Sequence, residues 1–216
     1  MTGTAIFGGS FNPIHHGHLL LADEVLEELG LDRVLFVPAG APPHKPATAL
    51  APAVDRHAMV KLATADHPRF EVSDIELRRS GPSYTVDTLE ALHRAADPLF
   101  LLVGSETFLD LLSWRAPRRI AELARFVVVP RAGSAFDPDG TAAQKIVRAI
   151  GAAGFVRVPG PEVPADTVLI VQATSLPISS SELRRRARQG RSLAYRAPES
   201  VIAYIRGHRL YQEGAA

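Results

Sequence analysis

The sequence predicts an α/β protein: a doubly wound, mostly parallel sheet with helices on both faces. Two observations predict it. Short apolar and β-branched runs alternate along the chain with stretches of helical periodicity, the pattern of strand–helix–strand units with right-handed crossovers. Those runs are almost continuously apolar, as strands covered on both faces are. Such a sheet binds ligands beyond the carboxyl ends of its strands, at the point where strand order reverses.

The first strand is expected at residues 5–7. Helical spacing follows over 18–29, where Leu19, Leu20, Ala22, Val25, Leu26 and Leu29 share one face and Gly30 is placed to end the helix. Residues 34–38 form the second strand, and helices are expected near 55–65 and 85–95. A third strand covers 99–103, with helices near 107–112 and 117–124 behind it. The fourth and fifth strands fall at 126–129 and 168–171, separated by a helix at 141–152 and followed by one at 181–189. Proline and glycine concentrate at 38–52, 130–140 and 159–166, which read as loops inside one domain. The expectation is a single domain over 1–216, with a helical C-terminal part from about 178 packed on it.

Composition agrees with that size. With 216 residues, 46% of them hydrophobic, the chain suffices for one sizeable core. A formal net charge of +1 gives no global field pointing to nucleic acid or an acidic membrane surface. Zero cysteines rule out a disulfide framework and fit a reducing compartment, so a cytoplasmic location is expected. No basic segment followed by an apolar core opens the chain, and no run of 18 apolar residues exists, so neither a leader peptide nor a membrane span is expected. The sequence leaves a homo-oligomer open.

Chemistry concentrates first in residues 8–18, GGSFNPIHHGH, where the first strand must turn into a helix. Gly8 and Gly9 allow positive φ and leave no Cβ between the main chain and a bulky anion. His15 and His18 flank the first helical turn, whose unpaired N–H groups and partial positive charge favour anions. Two imidazoles there can donate further hydrogen bonds to phosphoryl oxygens. Three other readings compete. The dinucleotide fingerprint needs G-x-G-x-x-G, which GGSFNP does not match. A metal site on His15, His16 and His18 has no cysteine and no nearby acid as a further ligand type. A plain glycine turn with surface histidines would leave the rest of the string unexplained.

A second site-like segment is Ile178–Arg184. Ser179 and Glu182 have capping-box spacing, and Ser180 and Ser181 add hydroxyls beside a helix N-terminus. Arg184 falls in its first turn, where a guanidinium can hold a phosphate bidentately. The neighbouring Arg185, Arg186, Arg188 and Arg191 read as a solvated face. Lys45, one of only three lysines beside 21 arginines, stands in the proline-stiffened stretch Pro42-Pro43-His44-Lys45-Pro46. By itself it reads as a solvated loop lysine.

The string GGSFNPIHHGH resembles the opening of the H-x-G-H nucleotidyltransferases, a superfamily with a Rossmann-like fold, and in particular of the bacterial nicotinate-nucleotide adenylyltransferases. H-x-G-H falls on His15-His16-Gly17-His18. The superfamily's second hallmark, I-S-S-T-x-x-R, is approached by Ile178-Ser179-Ser180-Ser181-Glu182-Leu183-Arg184, with Ser181 where Thr is usual. The resemblance spans essentially the whole chain, down to Tyr204-Ile205 and Leu210-Tyr211. It implies catalytic roles for His15, His18, Lys45 and Arg184. It implies ATP contacts at Gly8, Gly9, Ser10, Phe11, Gly104, Glu106, Arg131, Ile178, Ser179, Ser180 and Ser181.

The same resemblance places nicotinate recognition at Ser83-Tyr84-Thr85 and at Trp114, the only tryptophan, which would stack on the pyridine ring. Tyr84 and Thr85 would meet the nicotinate nucleotide. Without the resemblance, Trp114 reads as a core aromatic. One departure stands out: the family's G-x-D after the third predicted strand is here Gly104-Ser105-Glu106, one methylene longer. The implied reaction joins ATP to nicotinate mononucleotide, giving nicotinate adenine dinucleotide and pyrophosphate. The acceptor phosphate is largely dianionic at neutral pH, so neither a protein nucleophile nor a general base is required. Mg²⁺ would be carried with ATP, since no carboxylate cluster suggests a protein cage. Nicotinamide mononucleotide is the nearest alternative acceptor. Phosphopantetheine is disfavoured by the Ser83–Thr85 and Trp114 elements, and a hydrolase by the lack of a G-x-S-x-G elbow.

Overall fold

The computed structural model describes residues 2–43, 50–93, 97–131, 133–159 and 164–212. Seven strands form one all-parallel sheet: β1 (Thr4–Gly9), β2 (Arg33–Pro38), β3 (Phe70–Val72), β4 (Leu99–Gly104), β5 (Arg125–Val129), β6 (Phe155–Val158) and β7 (Val168–Val171). Their order is β3-β2-β1-β4-β5-β7-β6. The chain therefore starts in the middle, runs outward to β3, and returns to β4 beside β1. The β1–β4 ladder is short, pairing Thr4 with Leu99 and Ile6 with Leu101 and no further, whereas β1 stays paired with β2 as far as Gly9 and Pro38. Past Ile6 the two central strands part, and the crevice at the strand-order reversal opens there.

The helices are α1 (His16–Leu29), α2 (Ala53–Thr64), α3 (Ile75–Arg78), α4 (Thr85–Leu92), α5 (Ser105–Leu109), α6 (Pro117–Leu123), α7 (Thr141–Ile150), α8 (Ser180–Arg188) and α9 (Glu199–Gly207), with a 3₁₀ turn at Leu111–Ser113. All five expected strands are present, and β3 and β6 are additional. Both are edge strands of three and four residues, interrupted by exposed Glu71 and Arg157, so neither reads as an apolar run. The single helix expected at 107–112 is instead α5 followed by the 3₁₀ turn. Among the elements not foreseen, α9 buries Val201, Ile202 and Ile205.

Strand alternation divides the core in two. Leu99, Leu101 and Val103 of β4 join α4, α6 and α7 on one face, through Leu89, Ile120 and Ile146. Phe100 and Leu102 join α1, α2, α8 and α9 on the other, through Leu26, Met59, Leu183 and Ile202. Because the interior strands carry apolar residues on both sides, the sheet must be sandwiched by helices. Its C-terminal edge is left to the loops.

Candidate active site

Beyond β1 the chain forms a tight loop, Ser10–Pro13, before α1. Gly8 and Gly9 allow positive φ, yet both continue the strand, and the left-handed residue is Phe11, at φ 42°. The glycines serve a different need. A Cβ on Gly9 would lie 3.1 Å from the Phe11 ring, whereas one on Gly8 would meet nothing. The Phe11 ring is buried and edges against Phe7 at 5.4 Å and His18 at 5.2 Å. Its side chain is committed to packing, so any nucleotide contact at Phe11 belongs to the backbone.

His15 caps α1 with an extended backbone. Its N–H donates to Nδ1 of His18 at 3.3 Å. An Nδ1 that accepts leaves the proton of a neutral His18 on Nε2, so this ring presents a donor. The two imidazoles stack with centroids 3.7 Å apart. A Cβ at Gly17 would come within 3.2 Å of the His15 ring, which explains why the residue between the histidines' turn carries no side chain. Burial first, then the charge of Arg131, lowers the His15 pKa to about 4. Burial likewise pulls His18 well below the ordinary imidazole value, with His15 and Arg131 adding to it. His18 as a residue is half-buried. Both rings are therefore neutral at pH 7, and Nδ1 of His15 is a buried polar atom with no partner.

The second motif, at Ile178–Arg184, docks on the same loop. Ser179 accepts from the Glu182 N–H at 3.2 Å and caps α8. Ser180 Oγ donates to the Pro13 carbonyl at 2.8 Å. Arg184 donates through Nη1 to the Asn12 carbonyl at 2.8 Å and through Nη2 to Ser181 Oγ at 3.3 Å. Half-buried Ile178 packs beside the same core face. The N-termini of α1 and α8 thus converge on Ser10–Pro13, giving one locus of two helix N-termini, neutral imidazoles and a guanidinium.

At the far side of the crevice, Gly104 ends β4 and Glu106 lies in the first turn of α5. Glu106 pairs with Arg131 at 3.3 Å, both largely exposed. Ser83 N–H donates to the Ala41 carbonyl at 2.8 Å, and the Ala41 N–H donates to Ser83 Oγ at 3.0 Å. Tyr84 caps α4 and Thr85 opens it. The Arg115 guanidinium lies 5.0 Å over the Tyr84 ring and 3.5 Å from Asp87. Trp114 ends the 3₁₀ turn, half-buried against the α4 side of the core. The left-handed Ala116, φ 52°, follows it. Arg115 thereby links the Trp114 segment to the Tyr84–Thr85 segment. Lys45 lies outside the described residues.

Three residues assigned no site role from the sequence hold this arrangement. Asn12 Oδ1 accepts from the Ala51 N–H at 3.0 Å and from the Tyr211 hydroxyl at 2.8 Å. Burial raises the Tyr211 pKa, which keeps its hydroxyl a donor. Arg56 is 1% exposed and reaches the carbonyls of Ser10, Gly40 and Ala51. Its signal was present: Arg56, Met59 and Val60 share the buried face of α2, where an arginine is out of place. Among the described residues, no group of three or more His, Cys, Asp or Glu is placed to hold a metal ion. No helix among them is long and apolar enough to cross a membrane.

Residues 6–186 match the family described as Cytidylyltransferase-like. A protein of Roseiflexus sp. (strain RS-1), named a probable nicotinate-nucleotide adenylyltransferase, is 44% identical over 208 residues, 96% of each chain. A likewise named protein of Geotalea daltonii is 43% identical over 213 residues, 97% of this chain and 98% of the other. The fold is similar to that of Plasmodium falciparum nicotinic acid mononucleotide adenylyltransferase, solved in complex with NaAD, with a TM-score of 0.73 over 98% of both chains. Sequence identity there is 19%, so that likeness speaks for the fold.

Proposed function

The chain belongs to the cytidylyltransferase-like family and, within it, to the nicotinate-nucleotide adenylyltransferases, and we propose that it joins ATP to nicotinate mononucleotide, giving nicotinate adenine dinucleotide and pyrophosphate. The observation that carries this reading is the convergence of both motifs on one loop, Ser10–Pro13, through Ser180 and Arg184. The acceptor phosphate attacks the α-phosphorus in line, and the bond to the β-phosphate breaks. Being largely dianionic near pH 7, that phosphate supplies its own electron pair. The protein's part is positioning and charge stabilisation.

In this reading neutral His18 donates from Nε2 to a phosphoryl oxygen, and His15, stacked on it, supplies a second imidazole at the α1 N-terminus. Arg184 uses two of its five donors on Asn12 and Ser181, leaving others for the β- and γ-phosphates. Lys45 would add charge there. Gly8, Gly9, Ser10, Ser179, Ser180 and Ser181 offer backbone and hydroxyl contacts to ATP, and Gly104, Glu106 and Arg131 face its nucleoside. The Glu106–Arg131 pair must part or shift for the carboxylate to meet a ribose. Tyr84, Thr85 and Trp114 would take the nicotinate ring and its carboxylate. Mg²⁺ we assign to the ATP substrate, whose phosphate oxygens would carry it. We place the reaction in the cytoplasm, which a cysteine-free chain favours.

The test is pyrophosphate release from Mg²⁺-ATP with nicotinate or nicotinamide mononucleotide at equal concentration. Strong preference for the acid is expected. Comparable rates would leave adenylyl transfer standing and remove acid specificity, and no release with either would remove the activity.

A further inference from the structure

A hydrogen-bonded path crosses the floor of the site from the phosphate loop to the acceptor side, and Arg56 is its centre. Nη1 donates to the Ser10 carbonyl at 2.8 Å, Nη2 to the Gly40 carbonyl at 3.2 Å, and Nε to the Ala51 carbonyl at 2.9 Å. Those carbonyls belong to the loop after β1, the loop after β2 and the segment before α2. No ion pair among the described residues includes Arg56; its buried charge rests on three carbonyl dipoles, with Glu76 acting on it electrostatically.

From Gly40 the path continues. A Cβ on Gly40 would lie 2.4 Å from the Glu76 carbonyl, so its backbone rests directly on α3. The next residue, Ala41, exchanges two hydrogen bonds with Ser83, immediately before Tyr84 and Thr85. On the far side of α3, buried Glu76 accepts from Thr88 Oγ1 at 2.7 Å, and Arg79 donates to Thr88 at 3.1 Å and to the Tyr84 carbonyl at 3.4 Å. The Tyr84–Thr85 turn is thus held from both directions.

We propose that Arg56 is a positioning residue for adenylyl transfer, fixing the spacing between the ATP-phosphate loop and the nicotinate-nucleotide loop through the chain Ser10–Arg56–Gly40–Ala41–Ser83. This rests on the function proposed above. Only a planar, multi-donor fork can reach three carbonyls in three directions, so neither lysine nor an uncharged chain of equal length replaces it. Arg56 reaches the ATP side only through the Ser10 carbonyl and the acceptor side only through Gly40, so in this reading its side chain contributes no contact of its own to either substrate. A ligand spanning both subsites, and the in-line geometry of reaction, depend on the spacing itself.

The experiment compares wild type with Arg56→Met, Arg56→Lys and Arg56→Gln. For each, kcat is measured along with the Kd of a non-hydrolysable ATP analogue, of nicotinate mononucleotide and of nicotinate adenine dinucleotide. For Arg56→Met the expected result is a roughly 100-fold fall in kcat and at least about a tenfold weakening for the dinucleotide, each mononucleotide staying within about threefold. Arg56→Lys and Arg56→Gln should show the same selectivity with smaller size, and they carry the test should Arg56→Met not fold. Equal weakening of all three ligands would make Arg56 a structural residue only, and wild-type kcat would remove the role. A wild type that binds these ligands but releases no pyrophosphate would overturn the function itself, a result distinct from either.

Discussion

The hydrogen bond from the His15 backbone to His18 Nδ1 decides which proton His18 can offer, because it leaves Nε2 as the donor. Replacing His18 by alanine removes that donor and a ring contact with Phe11 but leaves the strand and helix on either side intact. We expect His18→Ala to lower kcat by at least roughly 100-fold, the scale for losing one oxyanion-type donor, with circular dichroism unchanged. Near-normal turnover would refute the role. The neutral state of the pair has a second consequence. An unfolded imidazole titrates near 6.5, whereas that of His15 is held at about 4 by burial. Between those values the unfolded chain takes up a proton that the folded chain refuses. Stability from His15 is therefore full above pH 6.5 and is lost as pH falls toward 4, by up to about 3 kcal/mol. Urea titrations at pH 7 and pH 4.5 should show a smaller drop for His15→Asn than for wild type; matching drops would contradict the buried neutral ring. At this scale the sequence exposed the residues that form strings, namely His15, His18, Ser179 to Ser181 and Arg184. It assigned no role to Asn12, Arg56 and Tyr211: Asn12 bonds the Ala51 amide, Arg56 three backbone carbonyls and Tyr211 the Asn12 side chain, partners that only the fold brings near.

Elements follow from local signals where packing does not override them. The Gly30 C-cap of α1 has φ 59° and returns its N–H to the Glu27 carbonyl, an ending that sequence spacing marks well. A Cβ there meets the left-handed penalty, so Gly30→Ala should cost about 1 kcal/mol in urea unfolding while kcat per folded molecule stays unchanged. A fall in kcat instead would mean that the cap sets the position of the histidines at the other end of the helix. The interior strands were legible because burial on two faces leaves them apolar throughout, as in Val127, Val128 and Val129 of β5. The edge strands β3 and β6 were not, because one side of each needs no apolar cover, and Glu71 and Arg157 break the run. Four-residue α3 is too short for periodicity to register. The turn at Phe11 was also hidden, since nothing in the type of a phenylalanine announces a positive φ; the neighbouring glycines drew the expectation away from it.

Across the whole molecule the first and last elements are tied together, for Tyr211 and Arg184 both bond Asn12 and Tyr204 bonds Asp55 at 2.8 Å. The part from about residue 178 onward therefore shares its core face with α1 and α2 through Leu183, Val201, Ile202 and Ile205. We propose on this ground that the chain is one cooperative unit. Its only tryptophan, Trp114, packs on the opposite face of the sheet, against the cluster built around α4, α6 and α7. Fluorescence from Trp114 consequently reports one face, whereas far-ultraviolet circular dichroism averages over helices of both. If the sheet couples the two cores, the two signals should trace a single urea transition with the same midpoint and slope. A C-terminal part that unfolded separately would lose helical signal from α8 and α9 before the Trp114 environment changed. Two displaced midpoints would then overturn the single unit and, because Ser180 and Arg184 hold the phosphate loop, would predict that activity disappears with the earlier of them.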